Sequence, residues 1–113
     1  MSVYYKIYLD DILKCIKKIE AYSKGQSKEN FLKNEVVVDA VIRNLEVMGE
    51  AAKKIPPDFR KKHQEVEWQK IAGLRDVLIH DYSGVDFDLL WEIVTVKIPL
   101  TKGLLNSILN EIK

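Results

Sequence analysis

The stretch WQKIAGLRDVLIHDY, Trp68 to Tyr82, combines an apolar helical pattern with polar side chains that a protein core does not require. Its apolar residues recur at the three-and-four spacing of one side of an α-helix. Arg75, His80 and Tyr82 lie in its second half, and Asp76 follows the arginine. We therefore predict an amphipathic helix that carries these four polar side chains.

The spacing of these residues on a continuous helix predicts which of them can meet. An α-helix rotates about 100° per residue, so Arg75 and Tyr82 would lie within about 20° of each other. Asp76 and His80 would also share one face. Arg75 and His80, however, would diverge by about 140°. A single copy of the chain would therefore make a poor paired arginine–histidine site, which a second copy across a two-fold axis could complete.

The composition is that of a folded protein. Of the 113 residues, 47% are hydrophobic and 31% are charged, and the net charge is +1. These values argue against disorder and predict one domain spanning residues 1–113. The sequence has no apolar run near the roughly 18 residues of a membrane span, and its N-terminus has acidic residues where a signal peptide is apolar. We therefore expect a cytoplasmic protein with no membrane association.

Helical periodicity covers most of the chain, and no strand pair is indicated. With short connections between the helices, the predicted architecture is an all-α, up-down bundle of four to five helices with a long, kinked C-terminal helix. The predicted helices span residues 3–23, 28–54, 68–82 and 87–112.

Helix breakers place the ends within this pattern. We predict an interruption of the second helix near Asn34 and its end at Pro56 and Pro57. Residues 55–67 should form an irregular connection with at most one short turn. Pro99 predicts a kink or break in the last helix.

Several side chains in the first two helices have more than one interpretation. Gly49 costs a helix about 1 kcal/mol relative to alanine, so it either permits close approach of another helix or is simply tolerated. Glu46 and Glu50 are spaced as a carboxylate pair or as a solvated face, and Arg43 is placed to form an intrahelical ion pair with Glu46. Cys15, the single cysteine, is expected to be buried.

The most basic segment lies between Lys53 and Lys70, where six lysines and arginines accompany three acidic residues. Such a local excess can contact phosphates irrespective of base sequence, although an ordinary solvated loop has the same charge. The candidate RNA contacts are Lys53, Lys54, Arg60, Lys61 and Lys62.

No metal or cofactor site is indicated, because the single cysteine and the two histidines, His63 and His80, lack zinc-site spacing and no glycine-rich phosphate loop occurs. Arg75 and His80 instead suit metal-independent cleavage of RNA. A histidine can accept the proton of a 2′-hydroxyl, and an arginine can hold the phosphate and stabilise its developing charge.

The pattern R-x4-H-x-Y over Arg75–Tyr82 resembles the signature of HEPN ribonuclease domains, specifically of the HepT-like toxins of prokaryotic toxin–antitoxin pairs. The resemblance extends to residues 39–46 and 49–52, to Trp68 with residues 71–74, and to residues 80–82 and 84–86. It implies a homodimer in which two motifs form a composite site that cleaves RNA without metal. Arg75 and His80 match the catalytic pair, and Asp76 stands where close relatives most often have asparagine.

The resemblance also implies a partner, a nucleotidyltransferase antitoxin of the MNT type that silences the toxin by transferring AMP to Tyr82. In this interpretation Asp76 and Tyr82 support the catalytic pair. One alternative is a non-catalytic HEPN module that binds a nucleotidyltransferase or RNA. Another is a structural helical dimer with His80 and Tyr82 packed inside each subunit.

Overall fold

The computed structural model describes residues 4–80 and 84–112, without the side chains of Tyr4 and His80. Apart from one pair of two-residue strands, these residues form an all-α fold, as predicted. The elements are α1 (Tyr4–Ser23), α2 (Lys28–Lys33), α3 (Glu35–Lys54), α4 (Pro57–Lys62), α5 (Trp68–Ala72), α6 (Leu74–Leu78), β1 (Ile79–His80), β2 (Gly84–Val85), α7 (Phe87–Glu92), a π-helical segment (Ile93–Lys97) and α8 (Ile98–Ile112).

Asn34 divides the second predicted helix into α2 and α3. Its backbone is extended, and its side-chain oxygen accepts a hydrogen bond from the amide of Val37 at 3.1 Å. Asparagine is a favoured N-cap because this bond satisfies an amide that has no partner within the helix. The predicted interruption is therefore confirmed.

The connection after α3 is more ordered than predicted. Helix α3 ends at Lys54, before Pro56 and Pro57 as expected, but Pro57 then begins the six-residue helix α4. Proline suits the first turn of a helix, where its missing amide has no intrahelical role. Phe59 of α4 is buried and stacks on Tyr5 of α1, with ring centroids 4.7 Å apart.

Helix α3 lies at the centre of the fold, packed against α1 on one side and against α5 and α6 on another. Apolar residues of all the long helices fill the core, and Cys15 is buried among them as predicted. Lys102 of α8 binds Glu20 of α1 at 2.9 Å and ties the C-terminal helix to the first. Within the described residues, no helix is long and apolar enough to cross a membrane.

The C-terminal helical region is continuous from residue 87 to residue 112 but changes its winding before Pro99. The amide of Ile98 donates to the carbonyl of Ile93, a bond spanning five residues rather than four. Proline lacks an amide hydrogen, and its ring crowds the carbonyl four residues earlier. The wider π-turn accommodates this ring, so the disturbance predicted at Pro99 takes the form of a π-helical segment.

The prediction of one continuous helix over residues 68–82 is wrong. Gly73 separates two five-residue helices, and α6 ends at Leu78. β-branched Ile79 then adopts an extended backbone, with φ −107° and ψ 114°. The angular spacing of an α-helix therefore does not extend to His80.

The prediction that the chain has no strand pair is also wrong. Strands β1 and β2 pair antiparallel, with Ile79 opposite Val85 and His80 opposite Gly84. Gly84 has φ +86°, a conformation that glycine adopts without steric cost. The amide of Asp86 donates a hydrogen bond of 2.8 Å to the carbonyl of Leu78, next to the β1–β2 pair.

Candidate functional site

Arg75 projects from α6 with 57% of its side chain exposed, and it is held by a carboxylate from another helix. Its Nε lies 3.6 Å from Oε2 of Glu46 in α3. At this distance the contact is an ion pair rather than a hydrogen bond. The arginine of the predicted site therefore lies at the surface, beside the central helix.

A cavity of about 290 Å³ lies between α3 and the α5–α6 segment, beside this ion pair. Its charged lining is balanced, since three basic and three acidic side chains contribute. These residues are Arg43, Lys53, Arg75, Glu46, Glu50 and Asp76. We call this cavity, with these six residues, the α3–α6 cleft.

Gly49 brings α3 against α5 at the edge of this cleft. A Cβ atom at this position would lie 3.1 Å from the carbonyl oxygen of Ile71 and 3.2 Å from that of Ala72. The interpretation of Gly49 as a site of close helix approach is thus confirmed. Glu46 lies three residues earlier on the same side of α3, so the approach also brings its carboxylate toward Arg75.

Glu46 and Glu50 of α3 do not form a pair of carboxylates. Glu46 contacts Arg75, whereas Glu50 binds Lys53 at 3.3 Å. Among the described residues, the predicted intrahelical pair between Arg43 and Glu46 does not form. The sequence offered one signal for the contact with Arg75, namely a glutamate three residues before a glycine that admits a neighbouring helix.

The remaining motif residues are placed only in part. Asp76 is exposed in the first turn of α6, and the ion-pair partner of Arg75 is Glu46 rather than Asp76. The backbone of His80 lies in β1, but its side chain is outside the described residues, as is Tyr82. Since α6 ends before His80, the predicted divergence of Arg75 and His80 on one helix no longer supports a two-fold site.

The five candidate RNA contacts differ in their surroundings. Lys53 is paired with Glu50, and Nζ of Lys54 lies 5.8 Å from the centre of the Tyr8 ring. Arg60 is half-buried, whereas Lys61 and Lys62 are exposed. Across the part of the chain that the structure describes, no ion pair engages Lys61 or Lys62. Lys61 and Lys62 are thus exposed cations for which the described residues provide no ion-pair partner.

A second cavity, of about 640 Å³, lies beside α4 and α5 and is lined by Arg60, Lys61 and Trp68 among others. Lys70 also lines it, but its charge is offset by Glu67 at 2.7 Å. The hydrogen bond from Lys70 and its charge lower the pKa of the Glu67 carboxyl. Free positive charge in this cavity therefore comes from α4.

An apolar groove of about 530 Å³ separates the α5–α6 segment from the C-terminal helical region. Leu74 and Val77 line one wall, and Leu100 and Leu104 line the other. Val77 is 50% exposed and Leu100 is 57% exposed. Arg75 and the exposed Val77 thus belong to the same short helix.

Metal-ligating side chains do not cluster in the described part of the molecule. No three histidine, cysteine, aspartate or glutamate residues with described side chains converge on one point.

Comparison with known proteins identifies the family. The family described as "Ribonuclease HepT-like" matches residues 12–108. A "Probable ribonuclease HepT" of Thermococcus cleftensis is 46% identical over 99 residues, covering 88% of this chain and 90% of that protein. A "Putative RNase" of Caldanaerobacter subterraneus subsp. tengcongensis is 42% identical over 106 residues, covering 94% of this chain and 95% of its own length.

A third relative is longer. The "Gamma-glutamylcyclotransferase and putative RNase" of Methanocaldococcus jannaschii is 42% identical over 107 residues, which cover 95% of this chain but 48% of that protein. No solved structure gave a significant match. The family match and the near full-length relatives show that the chain belongs to the HepT-like ribonuclease family.

Proposed function

We propose that this protein is the toxin of a toxin–antitoxin pair, a cytoplasmic endoribonuclease that cleaves RNA without a metal ion. The observation that carries the proposal is Arg75, exposed on α6 beside the α3–α6 cleft in a member of a ribonuclease family. A guanidinium in this position can reach the phosphate of a large substrate such as RNA, since no deep pocket has to admit the chain.

In the proposed reaction His80 accepts the proton of an RNA 2′-hydroxyl. The 2′-oxygen attacks phosphorus, and the bond from phosphorus to the 5′-oxygen breaks, leaving a 2′,3′-cyclic phosphate and a 5′-hydroxyl end. Arg75 stabilises the charge on the pentacoordinate phosphorus. The leaving oxygen takes a proton from a second acid, for which His80 of the partner subunit is the candidate.

This second acid is the reason for proposing a homodimer with a composite site. The apolar groove supports association of two copies, because Val77 and Leu100 expose apolar surface next to α6. Val77 lies on the same short helix as Arg75, so a two-fold contact at the groove would place the α6 helices of the two copies near each other. Lys61 and Lys62 of α4 are proposed to contact RNA phosphates.

Regulation is proposed to act on Tyr82. A nucleotidyltransferase antitoxin of the MNT type would transfer AMP from ATP to the phenol oxygen, with release of pyrophosphate and of the phenol proton. The added phosphate would repel the RNA backbone and compete for Arg75. Family resemblance is the support for this step.

The test is cleavage of a mixed-sequence RNA by the purified protein in the presence of EDTA. Wild-type protein should release fragments with cyclic phosphate ends, whereas Arg75→Ala and His80→Ala should each lose cleavage and growth inhibition while staying folded. Lys33→Ala, at an exposed residue of α2 paired with Glu29, serves as a control for charge removal. Full activity of both motif variants would refute the site.

Binding of RNA or of a nucleotidyltransferase without cleavage would instead indicate the non-catalytic HEPN module. Mass spectrometry of the protein, expressed alone and together with a candidate antitoxin, measures AMP on Tyr82. Absence of the added mass with an active antitoxin, or its retention in Tyr82→Phe, would contradict the modification site.

A further inference from the structure

We infer that Glu46 is a positioning residue for Arg75, an inference that rests on the proposed ribonuclease function. The two residues are 29 positions apart in the sequence and belong to different helices, yet Nε and Oε2 lie within 3.6 Å. Glu46 is the less exposed partner, with 31% of its side chain accessible against 57% for Arg75. Glu46 is therefore the more buried member of the pair, and Arg75 is the member presented to solvent.

The atom through which Arg75 is held suits a phosphate-binding role. Nε stands at the stem side of the guanidinium, and the two terminal nitrogens form its outer edge. A carboxylate at Nε leaves that outer edge for a bidentate contact with a phosphate. Glu46 thereby orients the fork without occupying the edge that would bind the substrate.

The packing of α3 against α5 favours the contact between Glu46 and Arg75. Gly49, one turn after Glu46, lets the carbonyl groups of Ile71 and Ala72 approach α3 to near contact distance. Arg75 follows Ala72 by only three residues. The contact of α3 with α5 at Gly49 therefore also determines the distance between Glu46 and Arg75. A long, exposed arginine side chain loses much of its rotamer freedom in such a contact before substrate arrives.

The neighbouring charges distinguish Glu46 from the other acids of the cleft. Glu50 is directed to Lys53, and its side chain is 69% exposed. Asp76 shares a helix with Arg75 but is not its ion-pair partner among the described residues. Glu46 is thus the acid through which α3 acts on the arginine.

The first experiment measures the contact itself and is independent of any ribonuclease activity. The chain has three arginines, Arg43, Arg60 and Arg75, so a ¹⁵N–¹H spectrum contains three Nε–H signals that lysine substitutions assign. The negative charge of Glu46 beside Nε should slow base-catalysed hydrogen exchange of the Arg75 Nε–H in the wild type, and exchange should be faster in Glu46→Gln. Glu29→Gln, which breaks an ordinary helical pair with Lys33, should leave it unchanged. Unchanged exchange in Glu46→Gln would overturn the inference.

The second experiment measures its consequence for RNA cleavage. Glu46→Gln should lower kcat about fivefold, the ratio expected for a partly exposed ion pair, while KM and the thermal midpoint change little. A purely structural role would instead lower the midpoint and spare kcat. If Arg75→Ala is inactive but Glu46→Gln keeps the full kcat, the positioning role of Glu46 is refuted and the proposed ribonuclease function is retained. A wild-type protein that cleaves no RNA would refute the proposed ribonuclease function, whatever the hydrogen exchange of the Arg75 Nε–H shows.

Discussion

Gly49 of α3 and Ile71 of α5 meet so closely that a methyl group on Gly49 would lie 3.1 Å from the Ile71 carbonyl oxygen. The obstructing atom belongs to the backbone, which cannot turn aside as a flexible side chain would. The relative position of α3 and the segment that carries Arg75 therefore depends on a missing Cβ atom.

Gly49→Ala should destabilise the protein by about 1 kcal/mol. The substitution gains about 1 kcal/mol of helix propensity. Overpacking of a rigid contact typically costs 1–3 kcal/mol, and a cost of about 2 kcal/mol leaves the net loss of about 1 kcal/mol. Urea unfolding followed by circular dichroism measures the difference. Gly103→Ala in α8 is the matched control, since nothing lies within 4 Å of its added methyl group. That variant should be more stable than the wild type, and equal gains at both positions would contradict the close contact.

Leu78→Ala should cost about 3 kcal/mol. Leu78 is fully buried at the end of α6, and loss of a large core side chain combines lost transfer energy with a cavity. The adjacent Val77 is half-exposed, so Val77→Ala should change stability by less than about 0.5 kcal/mol. Thermal unfolding of both variants tests this contrast. Similar losses would mean that Val77 is buried in solution, as it would be in a dimer, and dilution would reveal that.

Asp86→Ala should destabilise α7 by about 1 kcal/mol, because the Asp86 carboxylate accepts a hydrogen bond from the Leu89 amide at 3.1 Å. Asp86→Asn keeps an acceptor at the same position and should retain most of the stability. Hydrogen exchange of the Leu89 amide identifies the cause. Equal effects of the two substitutions would assign the role to charge rather than to capping.

Cys15 should resist alkylation in the native protein. Burial raises the pKa of its thiol, and the thiolate is the reactive form. Iodoacetamide at mildly alkaline pH should modify the urea-unfolded chain much faster than the folded one, as mass spectrometry would show. Comparable rates would mean that α1 opens readily.

The raised pKa of Cys15 also determines the direction in which the free energy of unfolding changes with pH. Because the folded-state pKa is raised, the folded chain keeps a proton that the unfolded chain releases above the ordinary thiol pKa of about 8.5. The contribution of Cys15 is therefore fully present below this pH and is lost as the pH rises toward the folded-state pKa. Wild-type protein should lose more stability than Cys15→Ala between neutral and alkaline pH, and parallel losses would contradict this coupling.

At two positions, a single residue in the sequence was sufficient to predict where a helix is interrupted. Asn34 ends one helix and caps the next, and Pro99 disturbs the last helix where predicted. The apolar spacing around Arg75 was less informative, since it fits one helix or two short ones equally well. The break at Gly73 and the extended backbone at Ile79 distinguish them.

The contacts of the candidate site could be predicted only in part. Arg75 was recognised from its motif, but its ion pair joins residues 29 positions apart and depends on how two helices pack. The sequence instead suggested Arg43 as the partner of Glu46, because residue spacing identifies neighbours within one helix but not contacts between helices. The glycine that admits the second helix was visible in the sequence, whereas the side chain that it brings into range was not.

The π-helical segment before Pro99 bears on how the length of this chain can vary. A turn that closes over five residues contains one residue more than the α-helical turn it replaces. The C-terminal region therefore resembles a helix that absorbed a single-residue insertion while Leu90 and Leu105, on either side, both remained buried. Removal of the exposed Val96 together with Pro99→Ala should restore a regular α-helix through this region. A gap at this point in a homologue would then be a neutral difference in length, and the fold would persist across it.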